Sequence, residues 1–256
     1  MLMTQLVGRL GRNDARLIGR DSFLIFMFSF AAIIAVGLRL GLPWMNDYLA
    51  ANGIMPGATI PISLSAVYPM FVAYLAFYTG ALLVGTIFGF ILLDEKDNNT
   101  LKAMLVTPVP LQHYVTYRVA LPAVMAFFVA LGMALIINQA LLPLWQMALI
   151  ALGASLTAPI VALFFATFAE DKVQGFAYSK FGGISGWAFL IGWFVPQPWQ
   201  WLIGLFPPFW VGKAYWLALD GVTWWWLALI AGIILQLALI RLLITRFNQV
   251  AYRQVQ

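Results

Sequence analysis

The residues able to do chemistry are few, and their placement excludes more than it permits. There is one histidine, His113, and no cysteine. A zinc centre needs several His, Cys or carboxylate ligands together, so a lone loop histidine reads as a solvated or capping residue. The nine acids are Asp14, Asp21, Asp47, Asp94, Glu95, Asp97, Glu170, Asp171 and Asp220, and all fall in loops or at the ends of apolar runs. A proton- or sodium-coupled carrier keeps such groups inside its spans, and none is expected there. Ser155, Ser179 and Ser185 have no candidate base beside them to make a nucleophile. Gly212-Lys213 is not a phosphate loop, because Pro207 stands where glycine is needed and Ala214 where Ser or Thr would hold magnesium. The chain is therefore expected to be no enzyme and to hold no metal or cofactor.

What remains is binding chemistry. Phe71, Tyr74, Tyr78 and Leu82 recur at three- and four-residue steps, giving one helix an aromatic face. Packing or lipid contact is the ordinary use of such a face; the alternative is the wall of a substrate path, offering rings and hydroxyls to an amphipathic molecule. Trp187 and Asn138 are further candidates for that path. Gln139 and Gln236 are polar groups that need partners in lipid. Gly85 with Gly89, and Gly182 with Gly186, are small-xxx-small pairs suited to close helix packing.

The most informative segment is the loop from Asp94 to Pro108, which runs DEKDNNTLKAMLVTP. Asn98 or Asn99 can cap a short helix, with Asp94, Glu95 and Asp97 at its positive end, and Pro108 closes it. Leu101, Met104 and Leu105 then share one apolar face. That face either lies on the chain's own span ends or lipid, or docks into a groove on a cytosolic partner.

These residues have to be positioned by helices in a bilayer. The 256 residues are 63% apolar and 9% charged, whereas a soluble domain is about one-quarter charged. The apolar residues form long unbroken runs, not the alternation of an outer-membrane barrel. About 20 apolar residues cross the hydrocarbon, and six windows approach or exceed that length, near Phe23 to Leu42, Val67 to Leu93, Tyr114 to Leu142, Met147 to Phe168, Phe176 to Val195 and Trp224 to Ile244. Lys180 interrupts the start of the fifth. With the N-terminus inside, twelve of the 14 Lys and Arg fall inside and only Arg39 and Lys213 outside, which predicts both termini in the cytoplasm. The tryptophans other than Trp187 gather toward the outer ends, as an interfacial belt does. The stretch from Trp199 to Asp220, with Pro207-Pro208 at its middle, is too short and broken to cross and predicts an outer re-entrant hairpin.

Residues 1–22 form a different kind of element. Arg9, Arg12, Arg16 and Arg20 fall on one stripe and Met3, Leu6, Val7, Leu10, Leu17 and Ile18 on the opposite side. This is the pattern of a basic amphipathic helix lying on anionic lipid. The expected plan is thus an all-α membrane protein with an interfacial helix over 1–22, a six-helix transmembrane domain over 23–246 and a cytoplasmic tail over 247–256.

The stretch from Asp94 to Arg118, with its acids, Thr100-Leu101 and Met104-Leu105-Val106-Thr107-Pro108, resembles the signature of ABC-2 type permeases, the membrane subunits of ATP-driven exporters. It departs at Asn99, where glycine is usual, and at Pro110, where serine is common. The motif covers about 25 residues and the architectural likeness the whole chain. The Arg-Asn-Asp-Ala-Arg stretch at 12–16 and the Arg-Asp-Ser-Phe stretch at 20–23 are similar to drug-exporter permeases of the fluoroquinolone type. The resemblance implies a bacterial plasma-membrane half-transporter that exports hydrophobic or amphipathic compounds. It implies pairing with a second permease chain, as a homodimer, and with two copies of a cytosolic ATPase that carry the ATP and magnesium; no nucleic acid is implied. Thr100, Leu101, Lys102, Met104, Leu105, Thr107 and Pro108 would form the coupling helix against that ATPase. Glu170 and Asp171 would offer a second contact, although a solvated loop is their simpler account. An ATP-independent scramblase or structural subunit is the rival reading.

Overall fold

The computed structural model describes residues 3–51, 64–98, 111–196 and 198–253. The stretch from Thr100 to Pro108, expected to form the coupling helix, lies outside the described residues. Every regular element among those described is helical: α1 (Met3–Arg20), α2 (Ser22–Ala51), α3 (Leu64–Asp97), α4 (Leu111–Ile137), α5 (Leu144–Ser155), α6 (Thr157–Phe168), α7 (Lys172–Ser185), α8 (Trp187–Phe194), α9 (Gln200–Ile203), α10 (Pro207–Leu219) and α11 (Trp225–Arg253). Five stretches are long and apolar enough to cross a membrane: Ser22–Leu49, Leu64–Asp97, His113–Ile137, Leu144–Phe168 and Trp225–Phe247.

The fifth sequence window corresponds to α7 and α8, which are jointed at Gly186 and, carrying Lys172 and Lys180, are not among the five spanning stretches of the described residues. The break tightens to a three-residue hydrogen-bond step, Gly186 N–H to Gly183 O at 3.2 Å, the short-range tightening seen where a helix is interrupted. Leu156 makes a similar joint between α5 and α6. The third window ends earlier than its hydropathy suggests, at Ile137, because Asn138 takes a left-handed conformation (φ 54) and stops α4.

The two ends of the bundle differ chemically. At one, Lys172 at the start of α7 lies 2.7 Å from Asp94 near the end of α3 and 3.9 Å from Asp21 between α1 and α2. Lys96 donates to the Ala169 carbonyl at 2.8 Å. At the other, hydroxyl and indole groups pin the loops: Tyr68 to Leu42 O at 2.9 Å, Tyr215 to Ala140 O at 2.6 Å and Trp216 to Pro69 O at 3.1 Å. Between them runs an exposed apolar belt that includes Ile33, Phe128, Leu152 and Ile234, an area no water-facing surface tolerates.

The α3–α6 seam forms the core because α3 presents glycine there. A Cβ placed on Gly85 would sit 2.6 Å from Ala158 O and 2.9 Å from Ala158 Cα, and one on Gly89 would meet the Phe165 ring at 2.7 Å. Gly85→Ala is therefore expected to force two backbones apart and cost about 1–3 kcal/mol, the usual range for overpacking, read as a lowered unfolding midpoint in detergent. Gly37→Ala, where nothing lies within 4 Å, is the control and should match the parent or slightly exceed it.

Candidate functional site

The aromatic face of α3 is built on a wide turn. Residues Ala73–Thr79 are π-helical, a local form that recurs at functional sites. Across it the Tyr74 and Tyr78 rings stack, with centroids 6.2 Å apart and planes 18° off parallel. They pack onto the bare backbone at the α7–α8 joint: a Cβ on Gly186 would lie 2.4 Å from Tyr74 Cε2 and 2.9 Å from Tyr78 Cε1. The Tyr78 hydroxyl donates to the Gly182 carbonyl at 2.7 Å and lies 2.5 Å from Ser185 Oγ, which also donates to that carbonyl at 2.7 Å. The widened turn of α3 and the broken span at Gly186 are thus joined through one phenol.

Beside this joint lies a cleft of about 270 Å³ between α3, α6, α7, the start of α10 and α11, bordered by Tyr78, Thr157, Phe164, Ser179, Ser185 and Phe206 among others. Phe181, another of its walls, is largely exposed, so the cleft opens onto the outside of the bundle. Its volume falls just under the range of about 300–1,000 Å³ usual for drug-sized pockets, as expected of a site walled on one side. Of its five hydroxyls, those of Tyr78, Thr157, Ser179 and Ser185 are already committed, and Tyr178 packs its ring against Phe164 and Phe181. Tyr78 and Ser185 bond to Gly182, Ser179 donates to Phe176 O at 2.8 Å, and Thr157 donates to Gln236 Oε1 at 3.0 Å. Gln236 in turn donates to Gly153 O at 3.0 Å, so its role in α11 is a cross-helix bond of the kind polar groups in lipid require. What the cleft presents is apolar and aromatic surface.

Of the expected path residues, only Tyr78 lines the cleft. Tyr74 stacks on it from the next turn. Phe71 lies further along α3, Asn138 ends α4, and Trp187 is 59% exposed on the outside of α8. Thr157, Phe164, Ser179 and Phe206 line the cleft without having been singled out for it. The recoverable signal was Tyr178, Gly182 and Ser185, whose spacing places them on one face of α7.

A second cluster was missed because its members lie far apart in the chain. Arg118, at 2% exposure, ion-pairs with Asp14 of α1, Nη1 to Oδ2 at 2.8 Å, and with Glu95 of α3. Tyr117 donates to Asp14 at 2.7 Å and Tyr114 to Glu95 at 2.5 Å, while the guanidinium lies 5.4 and 5.3 Å from the Tyr114 and Tyr117 ring centroids. The cluster is at the acid–base end and joins the helices on either side of residues 99–110. Asp94, Glu95 and Asp97, expected at the positive end of a short loop helix, form the last turn of α3, where Asp94 meets Lys172 and Glu95 meets Arg118. Asn98 ends that helix, its side chain donating back to Asp94 O at 2.8 Å. Of the second contact loop, Asp171 caps α7 by accepting from Gln174 N–H at 2.8 Å, and Glu170 is exposed beside it.

The helices and the lipid-facing belt define a multi-pass membrane protein. Comparison with known proteins makes this specific. Residues 14–244 match the family model described as fluoroquinolones export permease protein Rv2686c-like, and the chain belongs to that family. It is 32% identical over 243 residues to the fluoroquinolones export permease protein Rv2686c of Mycobacterium tuberculosis (strain ATCC 25618 / H37Rv), covering 93% of this chain and 92% of that relative. The same figures hold for the fluoroquinolones export permease protein MT2760 of Mycobacterium tuberculosis (strain CDC 1551 / Oshkosh). The chain is accordingly a transporter permease, multi-pass in the bacterial inner membrane.

Proposed function

We propose that this chain is the translocating subunit of an ATP-driven exporter of flat, apolar or amphipathic compounds, with the fluoroquinolones of its relatives' names as the first substrates to test. The observation that carries the reading is the cleft at Tyr78, Phe164 and Phe206, where the Tyr78, Thr157, Ser179 and Ser185 hydroxyls are paired internally and the remaining wall is apolar and aromatic, the Tyr178 ring included. Such a wall recognises a molecule by shape and by ring contact, and it rewards no charge. The substrate reaches it in an uncharged or charge-masked form, through the open side.

The proposal takes α7 with α8 as the sixth crossing, with both termini and the acid–base end in the cytoplasm, since the Lys and Arg concentrate there. A second copy of the chain would supply the other wall of the cleft. Two cytosolic ATPase subunits would bear on the segment from Thr100 to Pro108 and bring ATP and magnesium, with Glu170 and Asp171 alongside.

Copurification tests the ATPase part. The full chain, expressed with a candidate ABC ATPase from the same organism, is expected to retain that subunit, and Leu101→Asp or Leu105→Asp is expected to release it while membrane insertion is unchanged. A charge placed on an apolar docking face costs about fivefold to about 150-fold in affinity, about 1–3 kcal/mol. Retention of the ATPase and full drug-stimulated hydrolysis in both variants would defeat the docking claim. Lipid or drug movement by the chain without any ATPase would favour a scramblase.

A further inference from the structure

The first helix has two faces with different jobs. Arg12, Arg16 and Arg20 recur every four residues on one stripe, are exposed, and have no acidic partner among the described residues. On the far side, Asp14 is 2% exposed and held by Arg118 and Tyr117. Gly11 sits beside the same tyrosine, a Cβ there lying 3.7 Å from its hydroxyl. The junction with α2 sets the depth of the stripe. Asp21 N–H donates to Leu17 O and Ile25 N–H to Asp21 O, both at 3.1 Å, while Asp21 Oδ1 accepts from the Phe23 and Leu24 N–H groups at 2.9 and 3.3 Å, so α2 is capped afresh by the residue that directly follows α1. Ile25 and Phe26, 45% and 55% exposed, already belong to the apolar belt. At 1.5 Å per residue, Arg20 is within roughly 10 Å of them along the chain. With Arg20 placed there, and Asp14 held at the other end against Arg118 in the first turns of the His113–Ile137 span, the stripe lies along the lipid headgroups, where guanidinium binds phosphate through paired hydrogen bonds.

The inner face leads elsewhere. Arg118 is shared between Asp14 of α1 and Glu95 of α3 and is itself part of α4. Any shift of α1 that moves the Asp14 carboxylate must move Arg118, and with it the contact to Glu95. Those two residues root the helices on either side of segment 99–110.

We propose that α1 is a sensor of bilayer charge: its arginine stripe binds the headgroups of anionic phospholipid, and the Asp14–Arg118–Glu95 cluster carries that contact into the roots of α3 and α4. The binding and its transmission stand on this geometry alone; only the consequence, a change in how segment 99–110 meets an ATPase, rests on the function proposed above.

The test uses the full chain in nanodiscs of phosphatidylcholine with or without phosphatidylglycerol, no ATPase being present. Two quantities are read: the phosphatidylglycerol to phosphatidylcholine ratio retained in native mass spectrometry, and amide exchange over residues 93–98 and 111–118. The parent is expected to retain phosphatidylglycerol preferentially and to exchange more slowly in its presence. Arg12→Gln/Arg16→Gln/Arg20→Gln, all at exposed positions, should lower the retention preference on the order of tenfold and abolish the slowing. Asp14→Asn, which keeps the side chain's size, should leave lipid retention intact and abolish the slowing alone. Unchanged retention in the triple variant overturns the lipid contact, and slowing that survives Asp14→Asn overturns the transmission. Should a separate copurification show that the triple variant loses ATPase capture while its lipid preference in the nanodiscs is unchanged, the stripe faces that protein and the proposal fails. Leu101→Asp changes none of these readouts, so failure of the ATPase reading is seen separately.

Discussion

Arg118→Met is expected to be among the most destabilising single substitutions in the chain, at about 3–5 kcal/mol, the range found when one partner of a buried ion pair is removed. The side chain is 2% exposed and is the shared ion-pair partner of Asp14 and Glu95, which are buried against it. Without it the two carboxylates keep only the Tyr117 and Tyr114 hydroxyls as donors, and neither supplies a positive charge. A native state typically holds about 5–15 kcal/mol, so the loss should appear as a large drop in the unfolding midpoint in detergent or as failure to accumulate. Asp14→Asn/Glu95→Gln/Arg118→Met is expected to recover most of that stability, because removing every charge together avoids the orphaned ones. A single variant as stable as the parent would show that water reaches the cluster.

This cluster marks the limit of what was legible from the chain. Composition and apolar run length were enough for an all-helical membrane protein, because the bilayer leaves few ways to satisfy backbone polar groups. The glycine pairs read correctly as close contacts, since only Gly85 and Gly89 admit α6 so near α3. Helix interruptions were harder. Gly186 breaks a span that hydropathy reads as continuous, and the π-helical turn at Ala73–Thr79 has no compositional mark beyond the tyrosines it carries. The cleft was half legible: a stripe of Phe71, Tyr74 and Tyr78 on one helix does not say which ring meets another helix and which meets lipid. Arg118 was counted only as one more basic residue near a span end. Tyr114, Tyr117 and Arg118 do share a face at i, i+3 and i+4, but the partners, Asp14 and Glu95, lie 104 and 23 residues away. Periodicity reports which face a residue occupies and is silent on what that face meets.

Ser179→Trp is expected to lower export of a flat aromatic drug by at least about tenfold, equivalent to about 1.4 kcal/mol of lost binding, with the fold intact. Ser179 lines the cleft, yet its hydroxyl bonds only to Phe176 O of its own helix, in an exposed setting, so losing that bond alone costs little. An indole at this position occupies a large part of the 270 Å³ a substrate would need. The neighbouring candidates separate shape from polarity. Tyr78→Phe deletes a hydroxyl but leaves Gly182 O paired with Ser185 and keeps the ring, so export should change little if ring contact is what matters. Trp187→Ala removes a larger ring from α8 at a position that does not line the cleft, and export should match the parent. The measurement is accumulation of a fluorescent fluoroquinolone in cells that express the chain with the ATPase it retains on copurification, with basal hydrolysis as the check on assembly. Ser179→Trp exporting at the parental rate would place the substrate elsewhere. Loss in Tyr78→Phe equal to that in Ser179→Trp would mean that the phenol, not the apolar wall, does the recognising.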